Sequence, residues 1–271
     1  MRYAVSVILA LFSGIAAAQT LPEQVLELVN IERWDNGQLP PLKGQSNLDV
    51  AAVGHSQAMG QRNFLMHCDP DTLTLPWDRM TAAGYNWNAA AENIAAGSST
   101  AQGVMNQWMN SPGHAANILS INYREIGIGY ALDGGDVANV RQDMNGDCTP
   151  ESNNNGPYLH YWTQNFGRRD VVMPVVIARE AWQVSQCDID IYLYGTGWAT
   201  AYRLSNDGAN WSAWQPFSAN VLWSLIGPAG GTATVYSQIR DAQQQVRSAQ
   251  DSVRLGVNCS VGDLIFENGF E

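Results

Sequence analysis

Ser111 and His114 are the most direct pairing of a nucleophile with a base in this sequence. A serine hydroxyl becomes nucleophilic only beside a general base, and imidazole often serves as that base. The two residues lie three apart, but Ser111 opens the turn-forming sequence Ser-Pro-Gly. A serine in that setting more often caps or ends a helix. The sequence therefore favours a capping role for Ser111 over catalysis.

A run of oxygen donors in segment 143–151 resembles the start of a calcium-binding loop. The donors are Asp143, Asn145, Asp147 and Glu151. The glycine that such a loop needs at its sixth position is Cys148 here, and the acid expected at the twelfth is Asn154. A solvated turn rich in Asn and Asp is therefore favoured, with calcium binding as the alternative.

The first 18 residues have the pattern of a secretory signal peptide. Arg2 supplies the positive start, residues 4–12 are apolar, and the small residues before Ala18 suit cleavage near that position. The apolar run is too short to span a bilayer, and no later segment reaches about eighteen apolar residues. We therefore predict a secreted protein, extracellular or periplasmic, with no transmembrane segment.

Four cysteines follow the predicted signal peptide, and none of them is close enough to another for a zinc–thiolate site. An even number in an exported chain predicts disulfides. Three pairings are possible. Cys68–Cys148 and Cys187–Cys259 are favoured, because each pair then falls within one of the two domains proposed below.

Length and composition indicate two globular domains. The chain has 271 residues, of which 45% are hydrophobic and which include ten Trp and ten Tyr, enough to bury a core. Its formal net charge of −11 argues against nucleic acid as the main partner, because phosphate binding needs clustered Lys and Arg. The same charge weakens attraction to anionic lipid headgroups.

Helical periodicity dominates the first part of the chain. His55 lies on the apolar face of one predicted helix, where a packed core residue is the favoured interpretation. Two strands are also predicted, separated by a long Asp-, Asn- and Gly-rich surface loop at 133–157. The predicted helices are 22–34, one starting at 46 or 47, 77–83, 100–110 and 114–119, and the strands are 126–130 and 158–166.

The sequence texture changes near Met173. Short apolar or aromatic runs alternate with turn signals from there on, which predicts a small β-sandwich. The boundary is predicted between Arg168 and Pro174. The large aromatic residues of this part, including Trp211 and Trp214, are expected in the sandwich core rather than at a carbohydrate-stacking surface.

Several short blocks, in order over about 140 residues, together resemble bacterial members of the CAP superfamily, which includes cysteine-rich secretory proteins, antigen 5 and plant pathogenesis-related proteins. They include Ala91-Glu92-Asn93-Ile94-Ala95, Trp108-Met109-Asn110-Ser111-Pro112-Gly113-His114, Glu125-Ile126-Gly127-Ile128-Gly129-Tyr130 and Tyr161-Trp162-Thr163-Gln164-Asn165-Phe166-Gly167. Downstream, the sequence from Tyr202 to Trp214 resembles immunoglobulin-like repeats of bacterial surface proteins.

The resemblance implies an α+β fold, in which a CAP-type α-β-α sandwich with an open cleft is followed by a small all-β immunoglobulin-like sandwich. It also implies that two histidines and two acids meet in the cleft. They map to His67, His114 and Glu92, with Glu125 as the nearest substitute for a fourth acid where the family's usual position holds Ser111. His67, Glu92 and His114 are candidate zinc ligands, since imidazole and carboxylate suit Zn²⁺.

Four segments are therefore expected: a signal peptide at 1–18, the CAP (SCP) domain at 19–170, the immunoglobulin-like domain at 171–260 and a C-terminal tail at 261–271. The favoured function is that of a secreted protein whose cleft binds a small hydrophobic, lipid-like ligand or an extracellular protein or polysaccharide. The alternatives are a protease-like, metal-dependent hydrolase that uses the same cluster, and an adhesion protein led by the β-sandwich.

Overall fold

The computed structural model describes residues 18–143, 146–152 and 155–260. Most of the predicted signal peptide, the calcium candidate Asn145 and the tail 261–271 lie outside these described residues. Within them, no helix is long and apolar enough to cross a membrane.

Five helices form in the first part of the described chain, close to the predicted positions. The first begins with a capping box, in which Thr20 and Glu23 bond each other's backbone amides. Thr100 caps the fourth by accepting from Gly103 N. The helices are α1 (Leu21–Asp35), α2 (Ser46–Gln61), α3 (Pro76–Ala82), α4 (Ala101–Met109) and α5 (Pro112–Ile118).

A four-stranded sheet in the order β1-β4-β7-β3 forms the middle layer of this part. The second sheet, β2-β5-β6, gives strands to the segment expected to be an unstructured loop. These short strands have no sequence period to reveal them. The strands are β1 (Lys43–Gly44), β2 (Phe64–Leu65), β3 (Ala89–Ala96), β4 (Glu125–Leu132), β5 (Arg141–Gln142), β6 (Glu151–Ser152) and β7 (His160–Arg168).

Helices cover both faces of the four-stranded sheet, as an α-β-α sandwich requires. Gly127 and Gly129 face α2, whose backbone approaches so closely that an added Cβ at either position would lie 2.2 Å from it. The alternate residues Ile126 and Ile128 face the other way, into a core with α1, α4 and Trp108. Helices α2 and α1 therefore lie on opposite faces of the sheet.

The remainder of the described chain is almost entirely β-structure in two sheets, with orders β13-β10-β8 and β12-β11-β14-β15-β9 around a shared apolar core. The sequence prediction of an all-β region is therefore confirmed. The strands are β8 (Val175–Ile177), β9 (Gln183–Val184), β10 (Asp188–Leu193), β11 (Ala201–Ser205), β12 (Gln215–Pro216), β13 (Asn220–Ser224), β14 (Thr232–Arg240) and β15 (Val246–Leu255).

The two disulfides have the favoured pairing. Cys68 is bonded to Cys148 and Cys187 to Cys259. The first joins the segment before α3 to the segment between β5 and β6. The second joins the segment between β9 and β10 to the segment that follows β15. Each bond therefore stays within its own part of the chain, as the sequence argument assumed.

The two parts meet through polar contacts as well as through the chain. Lys43 on β1 lies 2.7 Å from Glu180 and 2.6 Å from Asp251 on β15. Tyr194 donates to Pro41 O at 3.0 Å, and Asn30 on α1 donates to Arg179 O at 3.0 Å. These contacts hold β1 and α1 against the β-region.

Candidate functional site

A cleft of about 630 Å³ lies between the N-terminal end of α3, strand β3 and the segment around Cys148. Most of its walls are apolar, from Leu75, Pro76 and Trp77 on one side to Ile94 on another. Its volume falls in the range of small-molecule sites. The remaining lining residues are Leu65, Met66, His67, Cys68, Met80, Ala90, Ala91, Glu92, His114, Gln142, Asp143, Gly146 and Cys148.

Glu92 lies at the centre of the polar part of this cleft. Its side chain is only 1% exposed, and both carboxylate oxygens have partners. His67 Nδ1 lies 2.9 Å from Oε1, and Arg79 Nη2 donates to Oε2 at 2.7 Å. Asn165, with its amide oriented to satisfy both neighbours, also donates to Oε2 at 3.1 Å.

Burial opposes the ionisation of Glu92, but its neighbours outweigh that cost. Attraction to His55, the hydrogen bond from His67 and the positive charge of Arg79 together hold the pKa of Glu92 below its usual value. The carboxylate is therefore ionised at neutral pH, and it sits in a closed set of donors.

Arg79 connects this carboxylate to the chain segment that enters α3. Its guanidinium donates to Thr74 O at 3.0 Å and to His67 O at 2.9 Å, in addition to Glu92. One side chain therefore fixes β3, the backbone of His67 and the start of α3 in a single arrangement. The sequence analysis did not select Arg79, because no motif marks it.

His55 lies behind the cluster, on α2, and is buried as the sequence analysis expected. Its Nε2 lies 2.9 Å from Met66 O and 3.9 Å from Glu92 Oε1. Burial lowers the pKa of His55 to about 4, despite the nearby carboxylate. The imidazole is therefore neutral at pH 7 and supports the cleft from inside.

His114 lies on α5 at the edge of the same cleft. Burial, together with repulsion from His67, lowers the pKa of its imidazole. Its backbone oxygen accepts from Asn93 Nδ2 at 3.1 Å, and Asn93 in turn accepts from Asn117 at 2.9 Å. Asn93 belongs to one of the sequence blocks identified above, and the two asparagines position α5 against β3.

The structure brings His67, Glu92 and His114 to one cleft but does not place Glu125 among its lining residues. Glu125 is buried on β4, where it accepts from Tyr85 Oη at 2.8 Å and pairs with Arg169. Strand β7 separates β4 from β3, so Glu125 starts about 10 Å from Glu92 across the sheet. The expectation that Glu125 completes the cleft cluster is therefore corrected.

The cluster does not fit a zinc ion in this arrangement. Glu92 already accepts from nitrogen donors at both oxygens, and the Arg79 charge beside it repels a divalent cation. Across the described ranges, no three or more His, Cys, Asp or Glu side chains form a group that could hold a metal.

The calcium candidates Asp143 and Asp147 bond their own turns. Asp143 accepts from Gly146 N at 2.6 Å and from Cys148 N at 2.9 Å, and Asp147 accepts from Thr149 N at 2.8 Å. This is how aspartates stabilise a solvated turn. Glu151 lies on β6, and calcium binding by the set stays a prediction because Asn145 is outside the described residues.

Ser111 occupies the N-cap position of α5, which agrees with the non-catalytic interpretation. Its backbone is extended, and Pro112 follows at the first helical position, where proline is favoured. The side chain makes no capping hydrogen bond, so the expected cap is one of position only.

Comparison with known proteins gives several relatives. The chain is 38% identical over 122 residues to the uncharacterized protein YkwD of Bacillus subtilis, covering 45% of this chain and 47% of that protein. It is 30% identical over 110 residues to the uncharacterized membrane protein YlbC of the same organism, covering 41% of this chain and 31% of that protein. It thus spans less than half the length of these relatives.

A solved extracellular protein of Bacillus anthracis that contains an SCP domain is 28% identical, with a TM-score of 0.41, over 54% of this chain and 40% of that one. A cysteine-rich secretory protein of Staphylococcus aureus is 17% identical, with a TM-score of 0.35, over 56% and 40%. The model of the cysteine-rich secretory protein family, CAP, matches residues 26–166, which is more than half of the chain. The chain therefore belongs to the CAP family of cysteine-rich secretory proteins.

Proposed function

We propose that this CAP protein is exported and binds an elongated apolar molecule of the lipid class in the cleft beside α3. The observation that carries the proposal is the lining of the cleft, where apolar side chains from α3, β2 and β3 lie beside the polar cluster of His67, Glu92 and His114. Burying apolar ligand surface against such walls is favourable by about 25 cal/mol per Å². A lipid-like molecule therefore matches the cleft in polarity.

The polar cluster provides a place for the head of such a ligand. His67 has a side chain that is 51% exposed, and His114 is half-buried at the same cleft. Since the His114 pKa is lowered, its ring is neutral at pH 7 and can both donate and accept a hydrogen bond. A hydroxyl or ester group at one end of the ligand suits these two rings.

The same arrangement favours binding over hydrolysis. A general base must be free to reach the proton it takes, and both oxygens of Glu92 are already held by donors. The lowered pKa of Glu92 also makes it a poor proton donor at neutral pH. The cluster supports the walls of the cleft and offers its histidines to a ligand.

Export is supported by the two disulfides, because such bonds persist in oxidising compartments outside the cytoplasm. The signal-peptide pattern at 1–18 supports it independently. An exported lipid-binding protein is therefore the function that agrees best with both the cleft and the chemistry of the chain.

A titration with a fluorescent fatty-acid probe tests the proposal. Leu75 lines the cleft, whereas Leu73, two residues away, is 66% exposed and does not line it. Leu75→Asp places a charge in the apolar wall, so the probe should bind at least about tenfold more weakly. Leu73→Asp adds the same charge outside and should bind as the wild type does. Equal affinities in all three proteins, or no binding by the wild type, would contradict the proposal.

A further inference from the structure

Four side chains on the outer face of the five-stranded sheet form a continuous stack of guanidinium and indole groups. The guanidinium of Arg203 lies 5.0 Å from the ring centroid of Trp211 and 4.7 Å from that of Trp214. Arg240 lies 4.2 Å from the Trp214 ring. Trp211, Arg203, Trp214 and Arg240 are hereafter called the Arg–Trp stack.

The register of the sheet places this stack on the side that faces away from the β-region core. Arg203 on β11 is opposite Gln238 on β14, which is opposite Ser248 on β15. The neighbouring residues Ala233, Val235 and Ile239 of β14 point the other way and are buried. The two tryptophans of the stack are thus not sandwich core, contrary to the sequence expectation. Arginine on the outer face holds them there.

The guanidinium groups of the stack lack acidic partners. Within the described part of the chain, neither Arg203 nor Arg240 forms a salt bridge, whereas Arg62, Arg79 and Arg169 all do. Arg203 donates only to the neutral Gln238, and Arg240 Nε is buried without a hydrogen-bond partner. Two partly exposed guanidinium groups on the outer face therefore have no salt bridge, in a protein whose net charge is −11.

The acids nearest in sequence do not neutralise these charges. Asp207 accepts from Ala209, Asn210 and Ser205 within its own turn. Asp241 accepts from Gln245 N in the turn between β14 and β15. Both carboxylates therefore serve local turns, and the Arg–Trp stack remains a basic strip.

We propose that the Arg–Trp stack and the adjacent outer row of β15 bind an acidic polysaccharide. Guanidinium groups recognise carboxylates by paired hydrogen bonds, and arginines already held against indoles lose less freedom on binding. The adjoining row offers hydroxyl and amide groups for sugar hydroxyls, since Ser248, Gln250 and Ser252 are all exposed. A strip that offers guanidinium, hydroxyl and amide groups fits a linear chain of acidic sugars, and none of its residues lines the cleft.

Affinity electrophoresis of the full chain in gels containing polygalacturonate, with neutral dextran as the reference gel, tests this proposal. The wild type should be retarded by polygalacturonate and not by dextran, and the retardation should decrease with added salt. The double variant Arg203→Gln/Arg240→Gln should lose at least about tenfold in affinity. The control Arg168→Gln removes a charge that pairs with Asp170 outside the stack and should leave retardation unchanged.

A second variant keeps the test decisive if the double variant fails to fold. Ser248→Glu adds a negative charge at an exposed position of β15. Ser248 is opposite Gln238, which is opposite Arg203, and the change leaves the Arg–Trp stack intact. Ser248→Glu should also abolish retardation by polygalacturonate, while the fluorescent fatty-acid probe should still bind in the cleft. No retardation of the wild type, equal retardation of wild type and Ser248→Glu, or retention by an acidic protein but not by polygalacturonate would overturn the proposal.

Discussion

The cleft and the junction between the two parts of the chain each contain buried carboxylates beside a cation, yet the two clusters behave in opposite ways. In the cleft, Glu92 alone receives Arg79, His67 and Asn165. At the junction, the two carboxylates of Glu180 and Asp251 share one Lys43. Since Glu92 and Glu180 are both buried, the charges around each carboxylate decide how their pKa values differ.

The pKa values follow this difference. Excess donors lower the pKa of Glu92 against the effect of burial. At the junction, burial and repulsion from Asp251 raise the pKa of Glu180 to about 8, although Lys43 opposes the shift. The same two carboxylates raise the pKa of Lys43 despite its burial. The cleft cluster thus keeps the negative charge of Glu92, whereas the junction tends to keep Glu180 protonated.

Removing Lys43, the cation at the junction, tests the difference between the two clusters most strongly. Lys43→Met leaves Glu180 and Asp251 buried without it, which should lower the free energy of unfolding by about 3–5 kcal/mol. Glu180→Gln keeps Lys43 paired with Asp251 and should cost far less. Urea unfolding of the three proteins at pH 7 measures this. A loss below about 1 kcal/mol for Lys43→Met would show that the junction cluster does not hold the two parts together.

The two disulfides should separate stability from binding. Their closed loops are of similar length, with separations of 80 and 72 residues, so replacing either pair by serine should cost about 4 kcal/mol. Only Cys68–Cys148 lines the cleft. Loss of Cys68–Cys148 should therefore also lower the affinity for the fatty-acid probe. Loss of Cys187–Cys259 should leave that affinity unchanged below the melting temperature. If replacing either disulfide changed probe affinity equally, Cys68–Cys148 would not form part of the wall that binds the probe.

Sequence patterns revealed those features that repeat or that belong to blocks. The glycines opposite α2, Asn93, and the cleft residues Glu92 and His114 all lie within such blocks. The disulfide pairing followed from keeping each bond within one domain. These features depend on local order along the chain, which a sequence displays directly.

The features that were missed depend on which strands are neighbours. Burial of Glu92 calls for a cation, but sequence does not say which of 14 Lys and Arg residues supplies it, and Arg79 carries no motif. Glu125 looked like a cleft acid until β7 was found between β4 and β3. Trp211 and Trp214 have the spacing of core residues, and only the register with Arg203 and Arg240 places them outside.

Opposite pH dependences are the smallest expected effect of the comparison. Because the Glu180 pKa is raised, its contribution to stability is greatest below about pH 4.5 and is lost as pH rises toward 8. Because the Glu92 pKa is lowered, its contribution is present above about pH 4.5 and is lost as pH falls through its folded-state pKa. Each slope is at most about 1.4 kcal/mol per pH unit.

Urea unfolding from pH 3 to pH 9 gives the free energy of unfolding of each protein, and subtracting the value of a variant from that of the wild type separates these slopes. The free energy of unfolding of the wild type minus that of Glu180→Gln should fall with rising pH. The free energy of unfolding of the wild type minus that of Glu92→Gln should rise with pH and then level off. If the two free-energy differences changed with pH in the same direction, the pKa values of Glu180 and Glu92 would not be shifted in opposite directions.

Native mass spectrometry of the full chain, exported and purified without added lipid, tests the central claim of cleft binding most directly. The wild type should carry a bound species of lipid mass that organic solvent extracts, and Leu75→Asp should carry much less of it than Leu73→Asp. Recovery of wild type with no such species, or with one zinc ion that His114→Ala removes, would contradict an apolar ligand held by the cleft walls.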